Sequence, residues 1–291
     1  MDQAEQLRIL KAGHQSRPLA RVLTVTSGKG GVGKSNTSIN LAIQFRKMGQ
    51  RVIILDADFG LANIEIMFGT VPKYNLCDLI YQGKNIKEII TWGAMDVGFI
   101  SGGSGIAGMS NLSRDYLVYI IRNLAELDAI ADIIIVDTGA GISDAVLEFL
   151  VASGEILLVT TPEPTSITDS YSLLKALSHH PRYDSSASPV KMIANRVNKE
   201  SDGELVYNKL NAVVARYLKI PVSYLGSIPQ DPQLSSAVMQ QMPVSIQSPG
   251  AKSTQAYERI ASKLMNNEES TKQPKRGMAA FFSHIISGKK A

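Results

Sequence analysis

Along the chain, short runs of β-branched and apolar residues alternate with longer stretches whose apolar positions recur at helical spacing. The runs at residues 22–26, 52–55, 97–100, 133–136, 156–160, 192–194 and 222–225 predict strands. Several are apolar throughout, as parallel strands covered on both faces are. Between them, residues 36–48, 114–127, 144–152, 166–177, 204–218 and 255–265 predict helices. Strand, helix and strand repeated in this order predict an α/β fold with a doubly wound, mainly parallel sheet, which places ligands at the carboxyl ends of its strands. The pattern divides the chain into an N-terminal extension (1–21), a core domain (22–265), a polar linker (266–276) and a terminal segment (277–291).

Composition changes this picture little: 291 residues, 44% hydrophobic and 19% charged, suit one large globular domain or two small ones. Formal net charge is +4, of which residues 268–291 carry +3, so the body is near neutral and gives a nucleic-acid face no support. A single cysteine, Cys77, excludes an internal disulfide framework and a cysteine-only metal site within one chain. The polar start lacks a signal-peptide core, and no stretch reaches the roughly 18 apolar residues of a membrane span. A cytoplasmic protein is expected.

The first predicted strand runs directly into Gly28-Lys29-Gly30-Gly31-Val32-Gly33-Lys34-Ser35, and the next residues open a helix. In such a loop, glycines let backbone N–H groups converge on phosphate oxygens. Lys34 can reach the β and γ phosphates of ATP or ADP, and the Ser35 hydroxyl can bind Mg2+.

Lys29 beside the first glycine makes this loop resemble the deviant Walker A loop of the MinD and ParA family. The resemblance implies a slow ATP hydrolase that forms a homodimer with ATP and is stimulated by dimerisation and partners. Lys29 would cross to the partner's phosphates and act like an arginine finger. After the second strand, Asp58 resembles the family's aspartate that orients the attacking water, and Asp56 supports the metal or Lys34. After the fourth apolar run, Asp137 resembles the Walker B aspartate of the magnesium shell. Asn195 and Arg196 after one late strand, and Pro229 and Asp231 after the next, stand where the family holds adenine.

In the terminal segment, Met278, Phe281, Phe282, Ile285 and Ile286 form the stripe of one helical face. Lys275 and Arg276 precede it and Lys289 and Lys290 follow, where anionic lipid head groups could meet them. Full burial of such side chains is worth about 1.5–3 kcal/mol each. A helix this short is marginal in water, so one tail should hold lipid weakly and two tails on a dimer about 100-fold better. The same face could dock on its own domain or on a partner's groove. Docking in one nucleotide state and release in the other would join both uses.

Ahead of the first strand, Asp2-Gln3-Ala4-Glu5-Gln6-Leu7-Arg8 resembles the activator motif of the FlhG family (FleN, YlxH), MinD-like regulators of flagellar number and placement. That resemblance implies a short helix stimulating the GTPase FlhF. Gln3 would reach the partner's catalytic site, and Asp2, Ala4, Leu7 and Arg8 complete the motif. It also implies contact with C-ring proteins of the FliM and FliN type, and reversible membrane association of the ATP-bound dimer. The alternative is a generic MinD/ParA-type positioning ATPase serving cell division or DNA partition.

Overall fold

In a computed structural model, the described residues are 19–58, 63–102, 123–266 and 277–287. The activator-like residues Asp2, Gln3, Ala4, Leu7 and Arg8, most of the helix expected at 114–127, and most of the linker lie outside them. The strands are β1 (Arg21–Thr26), β2 (Val52–Ala57), β3 (Thr91–Trp92), β4 (Gly98–Ser101), β5 (Ile133–Thr138), β6 (Glu155–Thr160), β7 (Val190–Val197) and β8 (Val222–Pro229). They form one sheet in the order β3-β4-β2-β5-β1-β6-β7-β8, parallel except where β3 meets β4. The doubly wound expectation therefore holds. The two-residue edge strand β3 is too short to leave a period in the sequence.

The helices described are α1 (Lys34–Lys47), α2 (Asn63–Phe68), α3 (Leu76–Tyr81), α4 (Ile86–Ile89), α5 (Leu127–Ile130), α6 (Asp144–Ala152), α7 (Pro164–Ser178), α8 (Glu200–Tyr217), α9 (Pro232–Met239), α10 (Val244–Gln247), α11 (Lys252–Asn266) and α12 (Met278–Ser287). Alternation along the strands separates two cores. Leu23 and Val25 of β1 pack with α1, α2 and α9 to α11. Val22 of the same strand joins Ile53, Ile134, Phe149 and the tail residues Met278, Phe281 and Ile285 on the opposite face. Farther along that face, α6, α7 and α8 cover β6 and β7.

Helix α1 is buried almost from end to end, between the sheet and α11. It carries polar residues into this position because each finds a partner. Asn40 Oδ1 accepts from the Ser245 backbone N–H at 3.0 Å, and Gln44 Nε2 donates to Ser245 Oγ at 3.1 Å. Satisfied in this way, buried polar groups cost little. The helix is thereby fixed with its first turn under the glycine loop.

At the sheet's opposite end, Glu155 joins three neighbouring strands. It accepts from Arg21 Nε at 2.5 Å and Nη2 at 2.9 Å, and from Lys191 Nζ at 2.6 Å. Arg21 also donates to the Leu264 carbonyl at 2.8 Å, tying β1 to α11. Burial works to raise the Glu155 pKa, but Arg21 and Lys191 outweigh it and hold the carboxyl below its usual range. A carboxyl with a lowered folded-state pKa stabilises the fold fully above the unfolded value, about 4.3, and loses that contribution as pH falls through the folded value. Replacement Glu155→Gln should therefore cost about 3 kcal/mol at neutral pH by leaving two cations without their carboxylate. It should also flatten the loss of stability below the unfolded pKa. Urea denaturation over a pH series checks both expectations.

Candidate nucleotide site and terminal helix

The glycine loop connects β1 to α1, with Gly31 and Gly33 in left-handed backbone conformations at φ of 75° and 98°. Gly33 needs its missing side chain twice over, since a Cβ would also overlap the Asn195 amide. That amide braces the loop: Asn195 Nδ2 donates to the Val32 carbonyl at 2.7 Å, and its Oδ1 accepts from the Arg196 N–H at 2.9 Å. Asn195, expected as an adenine contact, is thus engaged with the phosphate loop. A base edge would meet only its remaining amide hydrogen and lone pair. Lys34 opens α1 and is buried, whereas Gly30 and Gly31 face solvent.

Three aspartates stand at the ends of β5, which pairs with β1, and of β2, the next strand beyond it. The parallel register sets Asp56 of β2 opposite Asp137 of β5. Asp137 is fully buried; its Oδ1 accepts from Ser38 Oγ at 2.9 Å and its Oδ2 has no hydrogen-bond partner. Burial pushes its carboxyl up to about 6, and the Ser35 and Ser38 hydroxyls and the Lys34 charge pull the other way. For Asp56, burial first and then the neighbouring Asp137 charge push the carboxyl up to about 7. Asp56 Oδ1 accepts from the Asp58 N–H at 3.1 Å, holding the strand end in a turn. Asp58, half-buried, accepts from Asn63 Nδ2 at 3.4 Å and lies beside Gly139.

A buried carboxylate oxygen lacking a donor, with a serine hydroxyl from the loop beside it, is the donor set Mg2+ takes alongside phosphate oxygens and water. The residues present fit such an ion. The loop after Asp137 is tied to the phosphate loop in turn, because the Gly141 N–H donates to the Ser27 carbonyl at 3.0 Å.

The base-side residues meet where β7 and β8 run side by side. Arg196 is exposed with φ of 57°, in the left-handed region. Pro229 ends β8 opposite Val197. Asp231 is almost fully occupied within the fold: its Oδ1 caps α9 by accepting from the Gln233 N–H at 2.9 Å. Its Oδ2 accepts from the Ser253 N–H and Oγ at 2.9 and 2.8 Å. It shapes the loop and leaves little for a base.

Lys29 is partly exposed on the rim, with its Nζ 2.8 Å from both Glu163 Oε2 and Thr165 Oγ1. Those two residues begin α7, with Glu163 in the capping position and Pro164 at the first helical turn. The sequence pattern gives a helix here but does not single out its first turn as the seat of Lys29. The contact holds the Glu163 carboxyl below its usual range.

The terminal segment forms the expected helix, and three residues of its apolar stripe are covered. Met278, Phe281 and Ile285 are buried in the domain's own core, and Phe281 stacks on Phe149 of α6 with ring centroids 5.9 Å apart. The side chains of Phe282 and Ile286 lie outside those described. Of the face expected to meet lipid, Met278, Phe281 and Ile285 pack against the body, where Phe149 and its neighbours offer an equally apolar surface. No helix among the described residues is long and apolar enough to cross a membrane.

A family model named ParA, described as an NUBPL iron-transfer P-loop NTPase, matches residues 19–265. The chain is 36% identical over 244 residues to the antiactivator FleN of Pseudomonas aeruginosa, covering 84% of this chain and 86% of that protein. It is 31% identical to the flagellum site-determining protein YlxH of Helicobacter pylori, covering 98% and 96%. Among solved structures, the septum site-determining protein MinD of Pyrococcus horikoshii, complexed with Mg-ADP, superposes with a TM-score of 0.64 at 23% identity over 84% of this chain and 96% of that one.

The Gly33 geometry yields a test. Replacement Gly33→Ala should lower affinity for fluorescent ADP at least tenfold, about 1.4 kcal/mol, by straining a positive-φ residue and displacing Asn195 from the loop. Far-ultraviolet circular dichroism should be unchanged. Wild-type affinity in this variant would mean that the loop does not set the binding.

Proposed function

The chain belongs to the ParA family of P-loop NTPases, in its FlhG/MinD-like group, and on that premise we propose that it is an ATPase switch. It dimerises when it holds ATP, binds the membrane through α12, and regulates flagellar number and placement. ATP with Mg2+ supplies the phosphoryl group to be transferred and the cation that neutralises its charge. The loop amides of residues 28–35 and the buried Lys34 ammonium hold the phosphates. Ser35 and Asp137 hold the magnesium shell, supported by Asp56, and Asp58 orients the attacking water.

The observation that carries this reading is the position of Lys29. Its ammonium does not turn inward over its own phosphate loop but sits on the rim against Glu163 and Thr165. From there it can leave a solvent-exposed ion pair, worth little, for the far stronger charge of a second subunit's triphosphate. On hydrolysis that attraction weakens, the lysine returns to Glu163, and the dimer parts. The tail follows the same cycle, docked on α6 in the monomer and released to lipid in the dimer.

The flagellar assignment is supported by the names of the two relatives and by the Asp2 to Arg8 motif. In this reading the N-terminal segment stimulates FlhF, and C-ring proteins of the FliM and FliN type are further partners. The near-neutral body argues against a DNA-partition role, which would need strong, salt-sensitive binding. Carriage of an iron-sulfur cluster would need paired cysteines, and Cys77 stands alone in the sequence.

Asp58→Ala should trap an ATP-bound dimer with little turnover that sediments with anionic vesicles. The same variant lacking residues 277–291 should dimerise but remain in the supernatant. Chromatography showing only monomer with ATP would sink the gating scheme, and equal sedimentation with and without the tail would sink its lipid role. Separately, a peptide of residues 1–21 added to FlhF should raise its GTP hydrolysis. Absence of stimulation would return the chain to a positioning ATPase of the general MinD/ParA kind.

A further inference from the structure

Apolar contact alone does not hold α12 in place, because both of its ends are tied to the body by charged side chains. At the amino end, the Met278 N–H donates to Asp128 Oδ1 at 3.0 Å. Gly277, just before it, brings the chain closer to that carboxylate than a residue with a Cβ could come. At the carboxyl end, one Arg182 nitrogen donates to the His284 carbonyl while the other pairs with Glu148 of α6. His180 Nε2 approaches the same carboxylate at 3.6 Å. The first N–H groups and last carbonyls of a helix lack intrahelical partners, and an anion at the first end with a cation at the last complements the helix dipole. The body supplies both.

We infer that Asp128, Glu148 and Arg182 form a two-ended clasp that sets how readily the tail helix leaves its seat. This rests on the proposed release of α12 to lipid, for which the clasp supplies the threshold. Its placement links it to the nucleotide site at the other ends of two helices. Glu148 lies on α6, which follows the loop after Asp137, and Arg182 lies four residues beyond α7, whose first turn holds Lys29. The Glu148 to Arg182 pair therefore bridges α6 to the end of α7. Movement of either helix, when Lys29 leaves Glu163 or the Gly139 to Gly141 loop shifts, draws Arg182 off the His284 carbonyl.

Hydrogen exchange on the full-length protein without nucleotide tests the clasp directly. In Arg182→Ala and in Asp128→Ala, amides of residues 278–287 should exchange at least tenfold faster than in wild type, while β1 and α6 keep their protection. Arg182→Lys should restore part of the protection by keeping a cation at the helix end. If Arg182→Ala loosens the whole domain, Glu148→Gln, which keeps side-chain size, decides by the same readout. Wild-type exchange rates in 278–287 for the variants that stay folded would overturn the clasp. A second arm measures sedimentation with vesicles of phosphatidylglycerol and phosphatidylethanolamine, where the clasp variants should bind without ATP. Faster exchange with no sedimentation would uphold the clasp and remove lipid as its output.

Discussion

Two carboxyl groups buried side by side are the constraint on which the site turns. The register of β2 against β5 gives Asp56 and Asp137 no distance in which to relax, and low dielectric surroundings magnify their repulsion. Burial first, joined for Asp56 by the Asp137 charge and for Asp137 by that of Asp58, pushes the two carboxyls up to about 7 and about 6. Ser38 and the turn formed by Asp58 stabilise what charge remains. Lys34 offsets part of this for Asp137, and a divalent cation carried in on phosphates would add the positive charge that favours ionisation of both. The chemistry of the site and its response to ligand are thus two aspects of one electrostatic tension.

That tension has mechanical routes outward. The loop after Asp137 leads into α6, and the seat of Lys29 lies on α7, so the phosphate end of the molecule is joined to two adjacent helices. The terminal helix rests on the first and is pinned by the residue that follows the second. In the proposed cycle, a change of charge at one end of the sheet would reach the tail through rigid elements of ordinary length. Glu155, with its two cations, anchors the opposite end of β1, β6 and β7.

Much of this was legible in the residues themselves. Parallel strands apolar on both faces announce themselves, as does a lysine-bearing glycine loop between strand and helix. Short elements such as β3 and α2 to α4 span too few residues for a period to emerge. The partners of Lys29 stayed hidden because Glu163 and Thr165 lie more than 130 residues away, and the fold alone brings them to the rim. The place of Asn195 and Asp231 after strands points to base contacts, but nothing in the local sequence shows that one braces the phosphate loop and the other caps a helix. The stripe of α12 was plain, but a stripe states that a face is apolar and not what covers it. Its cover, Phe149, is an unremarkable position in an apolar helix.

By seating its tail within its own core, the protein makes opening a transaction between two surfaces. Were α12 to leave as proposed, it would bare its own stripe and also the hollow around Phe149 that it fills. An open molecule in bulk water would carry both, and would be sticky toward itself and toward other chains. Opening is therefore tolerable only where something else lies ready to cover at least one of the two. On the proposed cycle the seat would confer a form of spatial proofreading: a molecule opening in the wrong place would close again, and only one opening against a waiting surface would remain open.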